Sequence, residues 1–297
     1  MANNNTVKKK KVKMSTGDKV FTVINTVIMI LVCIAIVYPL YYVLLASVTD
    51  PVVVSSGKIL LYPEAWYTNG YETTLKYQPL WTGYANTIKY TVLGTLISLV
   101  CTIPAGYALS RYDMVGRKPI MFLFTFTMFF SGGMIPLYLV VKGVGLYGSR
   151  WALILPSLVD TYNLIIMRTA FAGVPDSLEE SAKLDGANAW TILWKIMAPL
   201  VKPTVAVITL YYAVSHWNSW FNAMLFLRDK TQYPLQLILR QILIQNDTAD
   251  MTAGADYLIG ETIQYATVVV ATLPILCIYP FVQKYFVKGV MIGAIKG

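Results

Sequence analysis

Polar side chains recur at helical spacing inside an apolar run of the sequence. They lie four, three and four residues apart, which places them on one face of a helix, and the set is Tyr211, Ser215, Asn218 and Asn222. Two aromatic residues, Trp217 and Trp220, lie among them. Neutral hydroxyls and amides beside aromatic rings suit a sugar, whose hydroxyl groups need hydrogen bonds and whose faces pack on rings. The same stripe would equally serve hydrogen bonding between helices, so both interpretations stay open.

A carboxylate, Asp160, interrupts a second apolar run, and Asn163 follows it one helical turn later. A carboxylate inside a membrane is costly unless it is paired or hydrated. Asp160 therefore either faces a cavity that takes a sugar or pairs with a Tyr or Lys of another segment. The one histidine of the chain, His216, has no companion ligands for a metal site, so we expect it to pack between helices.

The composition indicates a protein that resides in a lipid bilayer. Hydrophobic residues make up 56% of the 297 residues and charged residues only 13%, which leaves too little polar surface for a single water-soluble core. Transmembrane helices are predicted at about 20–47, 86–110, 119–141, 151–172, 203–227 and 262–284. We therefore predict an all-α integral membrane protein with about six spans and one transmembrane domain, residues 19–287. Gly132, Gly133 and Pro136 weaken the third span and favour either a kink or close helix packing.

The distribution of basic residues predicts the orientation of the chain. With six spans, twice as many Lys and Arg residues fall on the side of the two termini as on the other side, which predicts a cytoplasmic N-terminus and C-terminus. Residues 1–18 and 288–297 would be cytoplasmic tails. The net charge of +9 includes a lysine run at 8–13 directly before the first span. Such a run holds the cytoplasmic end against anionic lipid, so we expect membrane lipid, and no nucleic acid, as its partner.

A charged stretch between the fourth and fifth spans, residues 175–203, predicts a helix, a turn and a second helix on the cytoplasmic side. Residues 177–180, Ser-Leu-Glu-Glu, match a capping box and predict that the first helix begins there. Gly186 permits a turn, and a second segment over 189–197 should end at Pro199 and Pro203.

This stretch resembles a family motif. Glu180-Ser181-Ala182, three residues, Gly186, nine residues and then Ile-Met-Ala-Pro at 196–199 are similar to the E-A-A-x3-G-x9-I-x-L-P loop of ABC importer permease subunits. Ser181 and Ala198 depart from the pattern but remain small or apolar. Further stretches resemble the carbohydrate (MalG-like) branch of this family. They are "FSGGMIP" at 130–136, "NLIIMR" at 163–168, "HWNSWFNA" at 216–223 and "KGVMIGAIKG" at 288–297. The resemblance is closest to an LplC-like group, which is associated with oligosaccharides from polysaccharides such as pectin or alginate.

The resemblance implies a multi-pass permease of the bacterial cell membrane that forms half of a translocation pore for oligosaccharides. Its implied partners are a MalF-like second permease subunit, two copies of a cytoplasmic P-loop ATPase and an extracellular solute-binding protein. The implied ATPase-coupling residues are Glu179, Glu180, Ser181, Ala182, Asp185, Gly186 and Ala187. Glu180 would contact the ATPase, and it would also be the capping carboxylate; the two roles are compatible.

No G-x-x-x-x-G-K-[ST] phosphate loop occurs in the sequence, so ATP and Mg²⁺ are expected on the partner ATPase, with no cofactor on this chain. An intramembrane enzyme would need a nucleophile and a base, or paired carboxylates, inside the spans. Asp160 and His216 supply neither, so we predict a transporter subunit without catalytic residues. Two alternatives remain at this point, a permease for a different polar solute and an ATP-independent channel or receptor.

Overall fold

The computed structural model describes residues 15–57, 61–63, 66–244, 260, 262–277 and 280. Within these residues the chain is mostly helical and forms no strand beyond an isolated bridge between Thr49 and Trp66. Three 3-10 helices cover Arg150–Leu153, Leu155–Ser157 and Lys230–Gln232. The α-helices are α1 (Thr16–Ala46), α2 (Pro51–Ser55), α3 (Asn69–Lys76), α4 (Gln78–Ser110), α5 (Arg117–Phe129), α6 (Met134–Gly143), α7 (Thr161–Ala172), α8 (Asp176–Leu184), α9 (Ala189–Leu200, with a π-helical stretch at Ile192–Met197), α10 (Lys202–Trp217), α11 (Phe221–Phe226), α12 (Leu235–Ile244) and α13 (Thr262–Cys277).

Two of these helices are long and apolar enough to cross a membrane on their own. They are α1, with 31 residues, and α4, with 33. In the described part of the chain, α9 and α10 together pass the same test of length and composition, although they meet at an angle of 88°. The angle falls at Val201, between Pro199 and Pro203, whose rings hinder a continuous helix.

The helix α4 is the centre of the fold, because three glycines on it let three other helices approach closely. A Cβ atom added at each glycine would lie under 3.0 Å from a neighbouring side chain. The three approaches are Gly83 to Ile238 of α12, Gly94 to His216 of α10, and Gly106 to Met167 of α7. Small residues at such crossings are the usual means of packing helices in a membrane.

One end of α4 is tied to the turn that precedes α12. The Asn86 side-chain amide donates to the carbonyl oxygens of Thr231 and Tyr233, at 2.7 and 3.1 Å. The Tyr90 hydroxyl donates to the carbonyl oxygen of Gln232 at 2.9 Å. These bonds satisfy carbonyl groups that the turn would otherwise leave without partners.

By contrast, α1 lies largely apart from the other helices. All of its residues are described, and Leu45 and Ala46, at its C-terminal end, are the buried ones. There they join Val54 in a small apolar cluster, against which Tyr42 and Tyr265 pack. The rest of α1 is an apolar helix surface that the other described residues leave exposed.

Three of the predicted spans are interrupted; an interruption agrees with the kink that was one of the two alternatives for the span at 119–141, and the breaks in the other two were not predicted. The span at 119–141 divides between Phe129 and Met134, where Gly133 adopts a φ of +86°. An added Cβ at Gly133 would meet nothing within 4 Å, so this glycine serves a break in the helix and makes no close packing contact with described residues. The span at 203–227 divides between Trp217 and Phe221.

The span at 151–172 is α-helical from Thr161 onward and is preceded by the 3-10 turns at 150–157. The predicted span at 151–172 placed Asp160 in the middle of a helix. Asp160 is instead the N-cap of α7. The span predicted at 86–110 begins earlier, at Gln78, and the span at 20–47 begins at Thr16, inside the predicted tail 1–18. Residues 1–14, most of 278–284 and the tail 288–297 lie outside the described residues.

Candidate functional sites: the α8–α9 loop and a polar cavity

The α8–α9 loop, by which we mean residues 175–203 with both helices, has the helix–turn–helix form that the sequence predicts. Its first helix begins at a different residue. The helix α8 begins at Asp176 with Pro175 as N-cap, and no side chain caps it. The predicted capping box at 177–180 is therefore wrong; Ser177 is already inside the helix, and the acidic residues of the first turn complement its dipole instead. Gly186 makes the turn with a φ of +78°, and the Asn188 side chain caps α9 by accepting from the Thr191 amide at 2.8 Å.

The two adjacent glutamates of α8 face opposite ways. Glu179 is buried, and its carboxylate accepts from the Arg111 guanidinium at 2.8 Å and from the Lys183 ammonium at 2.9 Å. Glu180 is exposed. Burial by itself raises the pKa of Glu179, but hydrogen bonds from Lys183 and Tyr107, with the charge of Arg111, outweigh it and leave the pKa of this carboxyl below its usual range. Glu179 is therefore a structural anion that fixes α8 to the end of α4.

The other predicted coupling residues divide in the same way. Ala182 is buried in an apolar cluster with Ile103, Phe171 and Met197, and Ala187 is half-buried against that cluster. The exposed members are Glu180, Ser181, Asp185 and Gly186.

Large apolar side chains extend the exposed surface of the loop. Leu184 is 90% exposed and Trp190 is 65% exposed. Sequence reasoning missed both residues, and it missed the role of Arg111. The signal for Leu184 was its place beside the Gly186 turn, where a large apolar residue has no interior to fill.

A cavity of about 310 Å³ lies between α7 and α10. Its lining combines hydroxyl, amide, carboxylate and imidazole groups, from Ser157, Asp160, Tyr162, Asn163, Tyr211, Tyr212, Ser215 and His216. The structure thus brings together four of the eight predicted path residues, Asp160, Asn163, Tyr211 and Ser215. Sequence reasoning assigned His216 to packing alone and missed Ser157, Tyr162 and Tyr212.

The remaining four path residues lie outside the lining of this cavity. Asn218 ends α10, and its amide donates to the Val214 carbonyl oxygen at 3.0 Å. Asn222 lies on α11, after the break, so the predicted single helical face ends before it. Trp217 packs on an apolar cluster that includes Leu80, and Trp220 lies 3.9 Å below the Arg240 guanidinium.

Asp160 forms part of the cavity wall through its role as a helix cap. Its carboxylate accepts from the backbone amide of Asn163 at 2.9 Å, and its own backbone amide donates to the Tyr212 hydroxyl at 3.0 Å. The Tyr212 hydroxyl also lies 2.7 Å from that of Thr102 on α4. The partner that we expected on another span is therefore a tyrosine, and it meets the backbone of Asp160, not its carboxylate.

A buried polar atom beside the cavity, the Oδ1 atom of Asn163, has no hydrogen-bond partner among the described residues, and Asn163 is 4% exposed. His216 also borders the cavity, but its Nε2 atom lies against Gly94 of α4. A buried polar atom without a partner costs free energy, which a ligand hydroxyl or a water molecule in the cavity would recover. The cavity is thus suited to a neutral, hydroxyl-rich ligand.

Comparison with known proteins decides the family. Residues 80–292 match the model of the binding-protein-dependent transport system inner membrane component. The chain belongs to this family. It is a membrane-spanning permease subunit of an ABC importer, and the family is a transport component, not an enzyme.

Individual relatives agree with this assignment. The permease is 43% identical to the polygalacturonan/rhamnogalacturonan transport system permease protein YtcP of Bacillus subtilis (strain 168), over 88% of this chain and 93% of that protein. It is 38% identical to protein LplC of the same organism, over 95% of this chain and 96% of that protein. The permease also superposes with a TM-score of 0.87, at 36% identity, on a chain from the crystal structure of a bacterial ABC transporter involved in the import of the acidic polysaccharide alginate, over 93% of this chain and 99% of that one. The resemblance to importer permeases is therefore confirmed.

Proposed function

We propose that this permease forms half of the pore of an ATP-driven oligosaccharide importer and binds a separate ATPase through the α8–α9 loop. The proposal rests on two adjacent glutamates of α8. Glu179 is buried and Glu180 is exposed. Glu179 fixes α8 to the membrane helices, while Glu180 and Leu184 stay exposed on the opposite surface. A helix that is firmly held on one side and apolar and acidic on the other is suited to docking a partner.

The orientation follows from the charge distribution. We propose six spans with both termini in the cytoplasm, so that the α8–α9 loop faces the cytoplasmic ATPase. In this arrangement α5 with α6 and α10 with α11 form interrupted spans, and the turns at 150–157 lead into α7. Breaks of this kind occur in transport proteins where the backbone borders a cavity or another helix.

The full importer would contain a second permease subunit, two copies of the P-loop ATPase and an extracellular solute-binding protein. Membership of the binding-protein-dependent family supports these partners as a class. ATP and Mg²⁺ would be held by the ATPase. Closure of the ATPase would move α8 and switch the permease between inward-open and outward-open states, a rigid-body transition between two arrangements.

The cargo is proposed to be an oligosaccharide that passes beside the polar cavity. The relatives support a sugar, since YtcP is a polygalacturonan/rhamnogalacturonan transport permease and the superposed chain comes from a transporter involved in alginate import. The cavity supports it through the hydroxyls of Tyr211 and Ser215 and the unpartnered Oδ1 atom of Asn163. A different polar solute is the alternative, and uptake competition with neutral and acidic oligosaccharides would distinguish the two.

The test is a pull-down of the permease in mild detergent, expressed with its neighbouring genes, with mass spectrometry of the bound proteins. We expect a second permease and a P-loop ATPase, and loss of the ATPase in Glu180→Lys. Glu72→Lys is the matched control, because Glu72 is an exposed glutamate on α3, away from the α8–α9 loop. Recovery of the permease alone in several detergents would favour a channel or receptor that works without ATP.

A further inference from the structure

One arginine joins the ends of three helices. We infer that Arg111 is a positioning residue that transmits movement of α8 to α4 and α7, and through α7 to the polar cavity. The inference rests on the proposed docking of α8, but it concerns a residue outside the α8–α9 loop. Arg111 is the C-cap of α4, and its side chain is 11% exposed.

Each nitrogen of the guanidinium has its own partner. One terminal nitrogen donates to Glu179 at 2.8 Å and to Asp176 at 3.1 Å, both on α8. The other donates to the carbonyl oxygen of Phe171, in the last turn of α7, at 2.9 Å. The Nε atom donates to the Ser110 hydroxyl at 2.9 Å. A planar fork with fixed donor directions holds three helices in one relative orientation, which a lysine could not do.

The contact between α4 and α7 is rigid next to this point. Gly106 brings the two helices so close that an added Cβ would lie 2.9 Å from Met167. Arg168 donates from Nε to the Leu109 carbonyl oxygen at 3.0 Å, and the rings of Tyr107 and Phe171 meet edge to face. Closely packed helices move as units and do not deform continuously.

The helix α7 leads from Arg111 directly to the cavity. Its C-terminal end supplies the Phe171 carbonyl, and its N-terminal end carries Asp160 and Asn163 in the cavity lining. Twelve residues at 1.5 Å each give a lever of about 18 Å. A displacement of α8 that pulls on Arg111 therefore shifts the wall that borders the ligand.

The structure also explains why the variant Arg111→Gln should still fold. Lys183 forms a second bond to Glu179, so the buried carboxylate keeps a cationic partner when Arg111 is removed. Ala182 stays in its apolar cluster. The helix α8 thus remains in place, while the guanidinium links from α8 to α4 and α7 are lost.

The experiment compares wild type, Arg111→Gln and Arg111→Lys in the complete importer, reconstituted in liposomes with its solute-binding protein. The readout is sugar taken up per ATP hydrolysed, beside the amount of ATPase that co-purifies. In Arg111→Gln we expect normal ATPase content and continued hydrolysis, with uptake per ATP lowered by about tenfold. Arg111→Lys should recover only part of the loss, because lysine lacks the fork.

Arg117→Gln is the matched control. Arg117 also donates to a carbonyl oxygen near the end of α4, that of Leu109, but it packs on Tyr112 and forms no hydrogen bond or ion pair to α8 among the described residues. Uptake per ATP equal to wild type in Arg111→Gln would overturn the inference, as would loss of the ATPase from that complex. If the wild-type permease binds no ATPase, the proposed function itself fails, which the pull-down shows independently.

Discussion

Tyr211 and Ser215 offer hydroxyl groups to the polar cavity from one face of α10. Removing the Tyr211 hydroxyl in Tyr211→Phe keeps the ring and deletes one hydrogen-bonding group. A lost hydrogen bond of about 0.5–1.5 kcal/mol should raise the apparent KM for uptake by a few-fold and leave complex assembly unchanged. Asn222→Ala, on α11 outside the cavity lining, is the control. An unchanged KM in Tyr211→Phe, or an equal rise in the control, would remove Tyr211 from the sugar path.

Glu179 gives the α8–α9 loop a defined dependence on pH. Because its folded-state pKa is lowered, its contribution to stability is complete above the ordinary glutamate pKa of about 4.3 and is lost as the pH falls through the folded-state value. We expect the difference in Tm between wild type and Glu179→Gln to be constant from about pH 7 to pH 5 and to shrink below about pH 4. The exposed neighbour, in Glu180→Gln, should show a smaller effect throughout. A difference that instead grows on acidification would contradict the Glu179 ion pairs.

The pairing of Arg111 with Glu179 marks a limit of sequence reasoning. The two residues are 68 positions apart in the sequence. Each of them, considered alone, is a typical charged residue at a membrane boundary. The adjacent glutamates 179 and 180 are indistinguishable in type, so the sequence cannot state which one is buried. That choice is made by the position of α4, which no local pattern encodes.

Among the elements, the approach of α7 to α4 depends on Gly106. A Cβ atom in Gly106→Ala would lie 2.9 Å from the Met167 Cγ atom and 3.2 Å from the Arg168 backbone nitrogen, which cannot yield without moving α7. Overpacking of this kind costs about 1–3 kcal/mol, so the Tm of the detergent-solubilised permease should fall by several degrees. Gly143→Ala is the control, since an added Cβ there meets nothing within 4 Å. Equal Tm values for the two variants would show that the helices are less closely packed than described.

The break between α5 and α6 leads to a second prediction at the scale of the helices. Gly133 combines a φ of +86° with a ψ of −179°, a conformation that is essentially restricted to glycine. Gly133→Ala should therefore cost about 1–3 kcal/mol. Gly132→Ala, one residue earlier, should be tolerated, because its Cβ would meet Pro136 at an ordinary 3.6 Å. Thermal unfolding of both variants checks this, and a tolerant Gly133→Ala would indicate a continuous third span.

These elements also show why the helices were easier to predict than their interruptions. Residues 130–133 and 218–220 carry no charge, so a search for charge-free runs of about 20 residues passes over both breaks, although Gly132, Gly133 and Pro136 did indicate a weak point in the third span. The turn at Gly186 was predictable, because a glycine between two helical segments carries the signal itself. The turns at 150–157 carry such a signal in Pro156, which the predicted span at 151–172 passed over, and they place Asp160 at the start of a helix instead of its middle.

At the scale of the whole molecule, two exposed surfaces of the described residues are suited to partners. One is α1, which is apolar and uncovered over most of its length and is suited to lipid or a second permease subunit. The other is the exposed surface of the α8–α9 loop, with Glu180, Leu184 and Trp190. The two surfaces are separate from each other. This arrangement fits a subunit that contacts one partner within the membrane and a soluble protein at one side of it.

The most direct test of the account is photo-crosslinking from position 184 in native membranes, with a photoreactive amino acid in place of Leu184. This side chain is 90% exposed and lies next to the Gly186 turn. The same probe at Leu75 on α3, an exposed leucine away from the α8–α9 loop, is the control. The account predicts that position 184 crosslinks to a P-loop ATPase and position 75 does not. Crosslinks from 184 to lipid alone, with no ATPase at any nucleotide state, would contradict it.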